Sequence, residues 1–436
     1  PLYAITQYAW ARAFGDSVLS LRLLSLVYGL AGLAALYGLG RALLGHRAAL
    51  VATAWMSLMF WHIYHSQEIR FYGMVTLLAL LCVWTFLRFV TRPAPATLAI
   101  HALISGLMIW THPHSALLFC TLGLFLLCFH WRSPKLVAAW LAPHLLLAGS
   151  LVAFMASIDR ELAYAQTGWF SLPTLWRGYP SVRGFLAMSA GLMEFPPINR
   201  YGQLAINSRA LLWIVIELTT LAALAITATL HLSRGKLASP FPGLTQRELG
   251  ALLLLWFIVP PVVAFAASYA WRPVFLGRYL AFATPPLYLA LGYLMTRRAR
   301  RIDLAAFVPL IVFVALYYFP GPLRTPYDRV VETIQAHPSE YAEIFVDDMI
   351  ATSSIDYYWN GEPPVVRSPI DMEKAVNPFE ETVHFDGPSN WLLLTDEKRA
   401  RYMRTDLRRA NAEFTIHYFP SLRPAWLFHV TGPFHA

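Results

Sequence analysis

Trp61-His62-Ile63-Tyr64-His65-Ser66-Gln67-Glu68-Ile69-Arg70-Phe71-Tyr72 lies between two long apolar runs, 48–64 and 71–90. Its polar side chains gather where a chain would leave a bilayer. Charged groups there are costly unless paired or hydrated, so they mark function by default. The plainer reading is an interfacial loop, with Trp and Tyr at headgroup depth and the charges in water. The clustering of acid, base and hydrogen-bond donors favours the functional one.

Outward from this block the chain is apolar. Of its 436 residues 57% are hydrophobic and 14% charged, with mean hydropathy +0.48; soluble domains carry about 25% charge. Runs near bilayer-spanning length recur at 18–40, 48–64, 71–90, 97–111, 115–130, 136–156, 208–231, 249–268, 279–296 and 303–319. The expected fold is a mainly α polytopic membrane protein of about ten spans.

The net charge of +9 does not mark a nucleic-acid binder. Arg41 with Arg47, Arg88 with Arg92, Arg132 with Lys135, Arg234 with Lys236 and Arg247, and Arg297 with Arg298, Arg300 and Arg301 fall on every second connection. The positive-inside rule makes those connections cytoplasmic. Segments 1–17, 62–70, 111–114, 157–207, 269–278 and 320–436 then face outside. Cys82, Cys120 and Cys128 all fall in expected spans, so the outer segments do not rely on disulfides.

Residues 2–14 read as an amphipathic helix on the outer surface. The 157–207 connector, rich in Pro and aromatic residues, reads as packed interfacial structure. Together, 1–319 form the expected membrane domain. After Pro320-Gly321-Pro322 the apolar stretches shorten to strand length at 343–347, 391–395 and 414–419, with helical patterns at 326–336, 351–359 and 396–410. Residues 320–436 therefore read as a small α/β domain outside the membrane. Asp347-Asp348 at a strand end suits a ligand site or, more simply, a helix cap.

The topology gathers the chemistry on one side. His62, His65, Gln67, Glu68, Arg70 and Tyr72 share it with His112, His114, Glu194, Arg200, Tyr201, Arg272, Arg278 and Tyr279. Arg70 and Arg278 suit bidentate phosphate binding; anchoring to lipid headgroups is the alternative role of each. Glu68 suits a sugar hydroxyl, a proton or a metal, and the histidines suit hydrogen bonding or proton transfer. Such a set fits group transfer from a lipid phosphate at the membrane surface. A transporter of a lipid-linked anion would favour repeats and mid-span charges. No repeat is visible, and Arg22 and Glu217 are the notable charges within spans.

Four stretches resemble the GT-C polytopic glycosyltransferases, nearest to bacterial relatives of the protein O-mannosyltransferases and of the lipid A aminoarabinose transferase. They are Pro1-Leu2-Tyr3 with Phe14-Gly15-Asp16-Ser17 and Leu21-Arg22-Leu23; Tyr37-Gly38-Leu39-Gly40-Arg41 with Gly45-His46-Arg47-Ala48-Ala49-Leu50; the His62–Tyr72 block; and Gly277-Arg278-Tyr279-Leu280 with Pro285-Pro286. The block Ser66-Gln67-Glu68-Ile69-Arg70-Phe71-Tyr72 is the most specific.

The resemblance implies inverting transfer of a sugar from a polyprenyl-phosphate donor, with the donor as co-substrate. The acceptor is a lipid, protein or polysaccharide on the outer face of a bacterial inner membrane. It implies that Glu68 helps hold donor or metal and that Arg278 and Tyr279 face the donor. Gln67, His65, Tyr72, His112 and His114 complete the expected substrate-binding set. The family's acidic general base is expected upstream of Pro1; Asp16 matches a different position. Truncation, or an inactive relative, accounts for its absence. A divalent cation suits the outer Glu and His residues, although no ligand spacing is diagnostic.

Overall fold

The computed structural model describes residues 1–165, 241, 243–270, 275, 277–297, 326–337, 343–346, 355, 358–359, 365–367, 384–385, 389–395, 397–419, 425–431 and 434–435. The chain divides into two compact units, Pro1–Val314 and Ala315–Ala436.

In the first unit α1 (Leu2–Phe14) precedes α2 (Val18–Leu44), α3 (His46–Leu58), α4 (Phe60–Ser66), α5 (Tyr72–Thr91) and α6 (Pro95–Thr111). A 3₁₀ turn (Pro113–Ser115) leads into α7 (Ala116–Phe129) and α8 (Pro134–Ala165). After α9 (Gln246–Ala270), a 3₁₀ stretch (Gly277–Ala283) runs into α10 (Pro285–Arg297). Among the described residues α2, α5, α8 over Pro134–Phe154, and α9 are long and apolar enough to cross a membrane, and α6 and α7 are shorter apolar helices. The protein is a multi-pass membrane protein. The runs 208–231 and 303–319 lie outside the described residues.

Two expected spans are not single helices. The run 48–64 breaks at Met59, whose backbone is extended, so α3 and α4 are separate helices. Beyond the break, Ser66 packs so closely on α2 that a Cβ at Gly29 would collide with it. The run 279–296 is 3₁₀ until Ala283 and α-helical only from Pro285. Pro285 and Pro286 have no N–H to continue a helix from the preceding turn, and Pro disfavours α geometry in the residue before it. From there α10 crosses α3 at Gly292, where a Cβ would strike the backbone of Ala48 and Ala52. The helix of α8 also continues to Ala165, so the first residues of the expected 157–207 loop are helical; the remainder lies outside the described residues.

The expected surface helix is α1. Tyr3 is buried and its hydroxyl meets Ser25 Oγ at 3.2 Å. The Trp10 indole donates to the Ser20 carbonyl at 3.0 Å. Ile5, Tyr8 and Phe14 are exposed, which leaves an apolar side free of α2.

A buried polar chain ties α5, α6 and α8 together. Trp140 Nε1 donates to His101 Nε2 at 3.0 Å, which makes that nitrogen an acceptor. His101 Nδ1 therefore carries the proton toward Thr85 Oγ1 at 3.2 Å. His144 Nδ1 donates to the Trp140 carbonyl at 2.7 Å, and its Nε2 lies 3.1 Å from Ser105 Oγ, a hydroxyl that can donate or accept. The Trp140 N–H thus makes the His101 imidazole neutral. His144 follows Pro143, which interrupts the α8 ladder.

In the second unit a five-stranded sheet has the order β2-β1-β4-β6-β5. β1 (Glu343–Val346) runs parallel to β2 (Val365–Arg367) and β4 (Ser389–Leu394); β6 (Ala425–Thr431) is antiparallel to β4 and β5 (Glu413–Phe419). β3 (His384–Phe385) pairs with β7 (Phe434–His435). Alternation buries both faces. Ile344, Val346, Trp391, Leu393 and Leu427 pack with Val330, Val331 and Ile334 of α11 (Tyr327–Gln335). Phe345, Leu392, Leu394, Phe428 and Val430 pack with Ala400 and Leu407 of α12 (Glu397–Arg409). Asp347 and Asp348 lie outside the described residues.

Candidate functional site

Three connections meet at one end of the helical unit: the α4–α5 loop, the 3₁₀ turn after α6 and the 3₁₀ stretch before α10. The first presents Glu68 in a bend between α4 and α5. Its Oε2 lies 2.8 Å from His65 Nδ1 and its Oε1 3.7 Å from Arg70 Nε. His65 is buried, with its ring 4.3 Å from both Trp61 and Tyr72 and 5.2 Å from Tyr64, centroid to centroid. Aromatic walls on three sides hold the imidazole so that its Nδ1 edge meets the carboxylate.

Glu68 is 15% exposed and Arg70 39%. The acid is thus the shielded partner, while the guanidinium reaches open space. Burial works to lower the Arg70 pKa, but the Glu68 carboxylate and the Tyr72 and Tyr279 hydroxyls outweigh it and raise the value. Arg70 is fixed as a cation. Gln67 is exposed beside it, its backbone N–H bonded to the Tyr64 carbonyl.

The second connection is held by Ser115, whose hydroxyl donates to the Met108 carbonyl at 3.0 Å. The turn presents His112 and His114, ring centroids 4.9 Å apart. His112 Nδ1 accepts the His114 backbone N–H at 3.3 Å, so in the neutral ring the proton is on Nε2. Phe71 stacks on His112 at 4.2 Å.

The third connection is pinned to α9. The Trp256 indole donates to the Phe282 carbonyl at 2.9 Å, and the Phe275 N–H donates to Ser268 Oγ at 3.0 Å. Tyr279 then projects among the other groups, 4.6 Å from His112, 4.8 Å from His114, 6.1 Å from Phe71 and 6.5 Å from Tyr72. Arg278 contributes its backbone to the same 3₁₀ stretch; its side chain lies outside the described residues, as do Glu194, Arg200, Tyr201 and Arg272.

Of the residues singled out from sequence, His65, Glu68, Arg70, Tyr72, His112, His114 and Tyr279 are therefore neighbours. Phe71 was not among them. Its position next to Tyr72 looked like the start of a span, and only its stacking on His112 reveals its place. A small cavity just below is lined by Trp61, His62, His65, Ser66, Tyr72, Thr76, Ala281 and Thr284. Among the described residues no three His, Cys, Asp or Glu side chains group as a metal-ligand set.

Residues 1–158 match the family model for dolichyl-phosphate-mannose-protein mannosyltransferase. The likeness to GT-C glycosyltransferases read from the motifs is thus borne out. Solved structures of that kind are also similar to the chain. The Archaeoglobus fulgidus oligosaccharyltransferase tethered with an acceptor peptide matches at TM-score 0.40 and 15% identity, over 83% of this chain and 51% of that one. The chain thus spans about half of that protein's length. ArnT from Cupriavidus metallidurans matches at TM-score 0.37 and 14% identity in the apo state, and at 0.33 and 13% bound to undecaprenyl phosphate. Each match covers 98% of this chain and 87% of that one. No curated protein sequence matches the chain.

Proposed function

We propose that this chain transfers a sugar with inversion from a polyprenyl-phosphate donor to a lipid, protein or polysaccharide acceptor. The reaction takes place at the outer face of a bacterial inner membrane. The observation that carries this reading is the convergence of a shielded Glu68, a charged and accessible Arg70 and the His112–His114–Tyr279 group at one end of an apolar helical unit.

In this reading Arg70 faces the donor phosphate. Its fork of N–H donors suits the phosphate oxygens, and its charge offsets the negative charge that grows as the sugar–phosphate bond breaks. Glu68 already lies against His65 and Arg70, so its role is to aim the guanidinium rather than to take a proton. Tyr279, His112 and His114 line the sugar side, and Arg278, whose backbone belongs to the same 3₁₀ stretch, is assigned as a second cation for the phosphate. The acceptor oxygen bonds to the anomeric carbon as the polyprenyl phosphate leaves with the electron pair, and the acceptor's hydroxyl proton ends on that released phosphate or in water. In this reading residues 320–436 are extracytoplasmic.

The test is transfer from radiolabelled polyprenyl-phosphate sugars by full-length protein in membranes, wild type against Arg70→Ala and Arg278→Ala. Donor-dependent loss of label from lipid, abolished by either change, supports the proposal. Folded wild-type protein that turns over no donor, yet moves a lipid-linked anion across the bilayer, replaces it with the transporter reading.

A further inference from the structure

Helix α12 covers one face of the sheet through Ala400, Met403 and Leu407. Its other side is strongly basic. Between Glu397 and Arg409 the sequence places Lys398, Arg399, Arg401, Arg404, Arg408 and Arg409 against two acids, Glu397 and Asp406, a net +4. Arg401, Arg404, Arg408 and Arg409 are exposed. The spacing of 401, 404 and 408 sets three of them in one stripe along the helix. Tyr402 stands beside that stripe, 53% exposed. Asp406 lies 3.7 Å from Arg409 with both side chains open to solvent, and such an exposed pair contributes little.

Packing on the sheet does not account for these arginines, since the helix uses its apolar side for that. We propose that this face docks the C-terminal unit on the anionic lipid headgroups of the membrane that the chain itself spans. The apolar side of α12 is occupied, so the contact is electrostatic and lies at headgroup level, with Tyr402 at the depth that aromatic rings favour. Arginine forks pair bidentately with phosphodiesters. A soluble polyanion would meet the same charges, but the bilayer has the advantage of attachment. The chain itself crosses that bilayer, so the lipid surface stays at high effective concentration for its C-terminal unit. The proposal is independent of the sugar-transfer reading.

The experiment uses the full chain in nanodiscs of phosphatidylcholine, with and without phosphatidylglycerol. An environment-sensitive fluorophore is attached at Tyr402→Cys, with Cys120 and Cys128 replaced by Ala. Quenching by brominated lipid is expected to rise about threefold in the anionic discs. It should return to the phosphatidylcholine level in about 1 M salt, where screening acts within about 3 Å. Arg401→Glu with Arg404→Glu and Arg408→Glu should do the same at low salt. Equal quenching in both discs overturns the proposal, as does a salt-insensitive difference. Protection of the label by soluble inorganic polyphosphate, without any lipid dependence, also overturns it and assigns the face to a soluble anion. The salt series on unreversed protein decides the matter even if the triple variant does not fold.

Discussion

His65 Nδ1 and Glu68 Oε2 lie 2.8 Å apart across a single bend, with the imidazole walled by Trp61, Tyr64 and Tyr72. A shielded carboxylate held from one side by an imidazole keeps its other oxygen directed at Arg70. Glu68→Gln removes the negative charge and should slow sugar transfer about a hundredfold, the scale of one preorganised electrostatic contact. His65→Asn keeps a donor near the Nδ1 position and should cost less than His65→Ala. Initial rates at saturating donor, measured on all three variants, check this. Equal losses for Asn and Ala would remove the hydrogen bond from the argument.

The polar chain through His101, Trp140, His144 and Ser105 predicts coupling across three helices. Ser105→Val leaves His144 Nε2 without its hydrogen-bond partner in a dry setting, and His101→Phe strands the Trp140 N–H. Each change should destabilise the protein by about 1–2 kcal/mol. The double variant His101→Phe, Trp140→Phe should cost less than the sum of its parts, because the two groups bond to each other. Thermal unfolding in detergent measures both, and strict additivity would dissolve the network.

Gly292 predicts a steric threshold. A Cβ there meets the Ala48 carbonyl and the Ala52 backbone of α3, groups that cannot swing away as a side-chain tip would. Gly292→Ala should therefore cost about 1–3 kcal/mol through displaced helices, and Gly292→Val more. Gly106 offers the contrast, since its Cβ would meet only Leu147 at 3.5 Å; Gly106→Ala should be nearly neutral or slightly stabilising. Melting temperatures of the two alanine variants, compared side by side, check the difference.

Much of this was legible in the sequence, and what was not has a physical cause. Long uninterrupted apolar runs such as Val18–Leu44 and Tyr72–Thr91 read directly, because length and composition are what a bilayer selects. The breaks at Met59 and before Pro285 lie inside runs of equal apolarity, so hydropathy passes over them. Pro285-Pro286 did carry a signal, the missing N–H groups, which the run of apolar residues masked. The grouping of Glu68 with His65 and Arg70 follows from their closeness along the chain. That Tyr279 joins His112 and His114 depends on bonds such as Trp256 to Phe282, whose partners are 26 residues apart, and no local pattern encodes them. The network of His101 and His144 escaped for the same reason: a lone His in each apolar run gives no hint of its partner.

The C-terminal unit offers a prediction about pH. Trp391 stacks on His429 at 4.2 Å with the rings 9° from parallel, and His417 and His337 approach the same indole at 6.0 and 5.8 Å. Burial pushes the His417 pKa down from its ordinary 6.5, and the neighbouring His337 imidazole lowers it further. A base whose pKa is lower in the folded state binds fewer protons there than when unfolded, so stability rises with pH through that window. The contribution is complete above about pH 6.5 and is lost as pH falls through the lower folded-state value. Hydrogen exchange of the β5 amides should therefore quicken on acidification from pH 7 to 5 beyond the intrinsic chemical trend, and His417→Gln should flatten that excess. Because His417 is only partly buried, the effect should be modest, about a few-fold in protection. An excess of equal size in the Gln variant would remove His417 as the origin of the pH response.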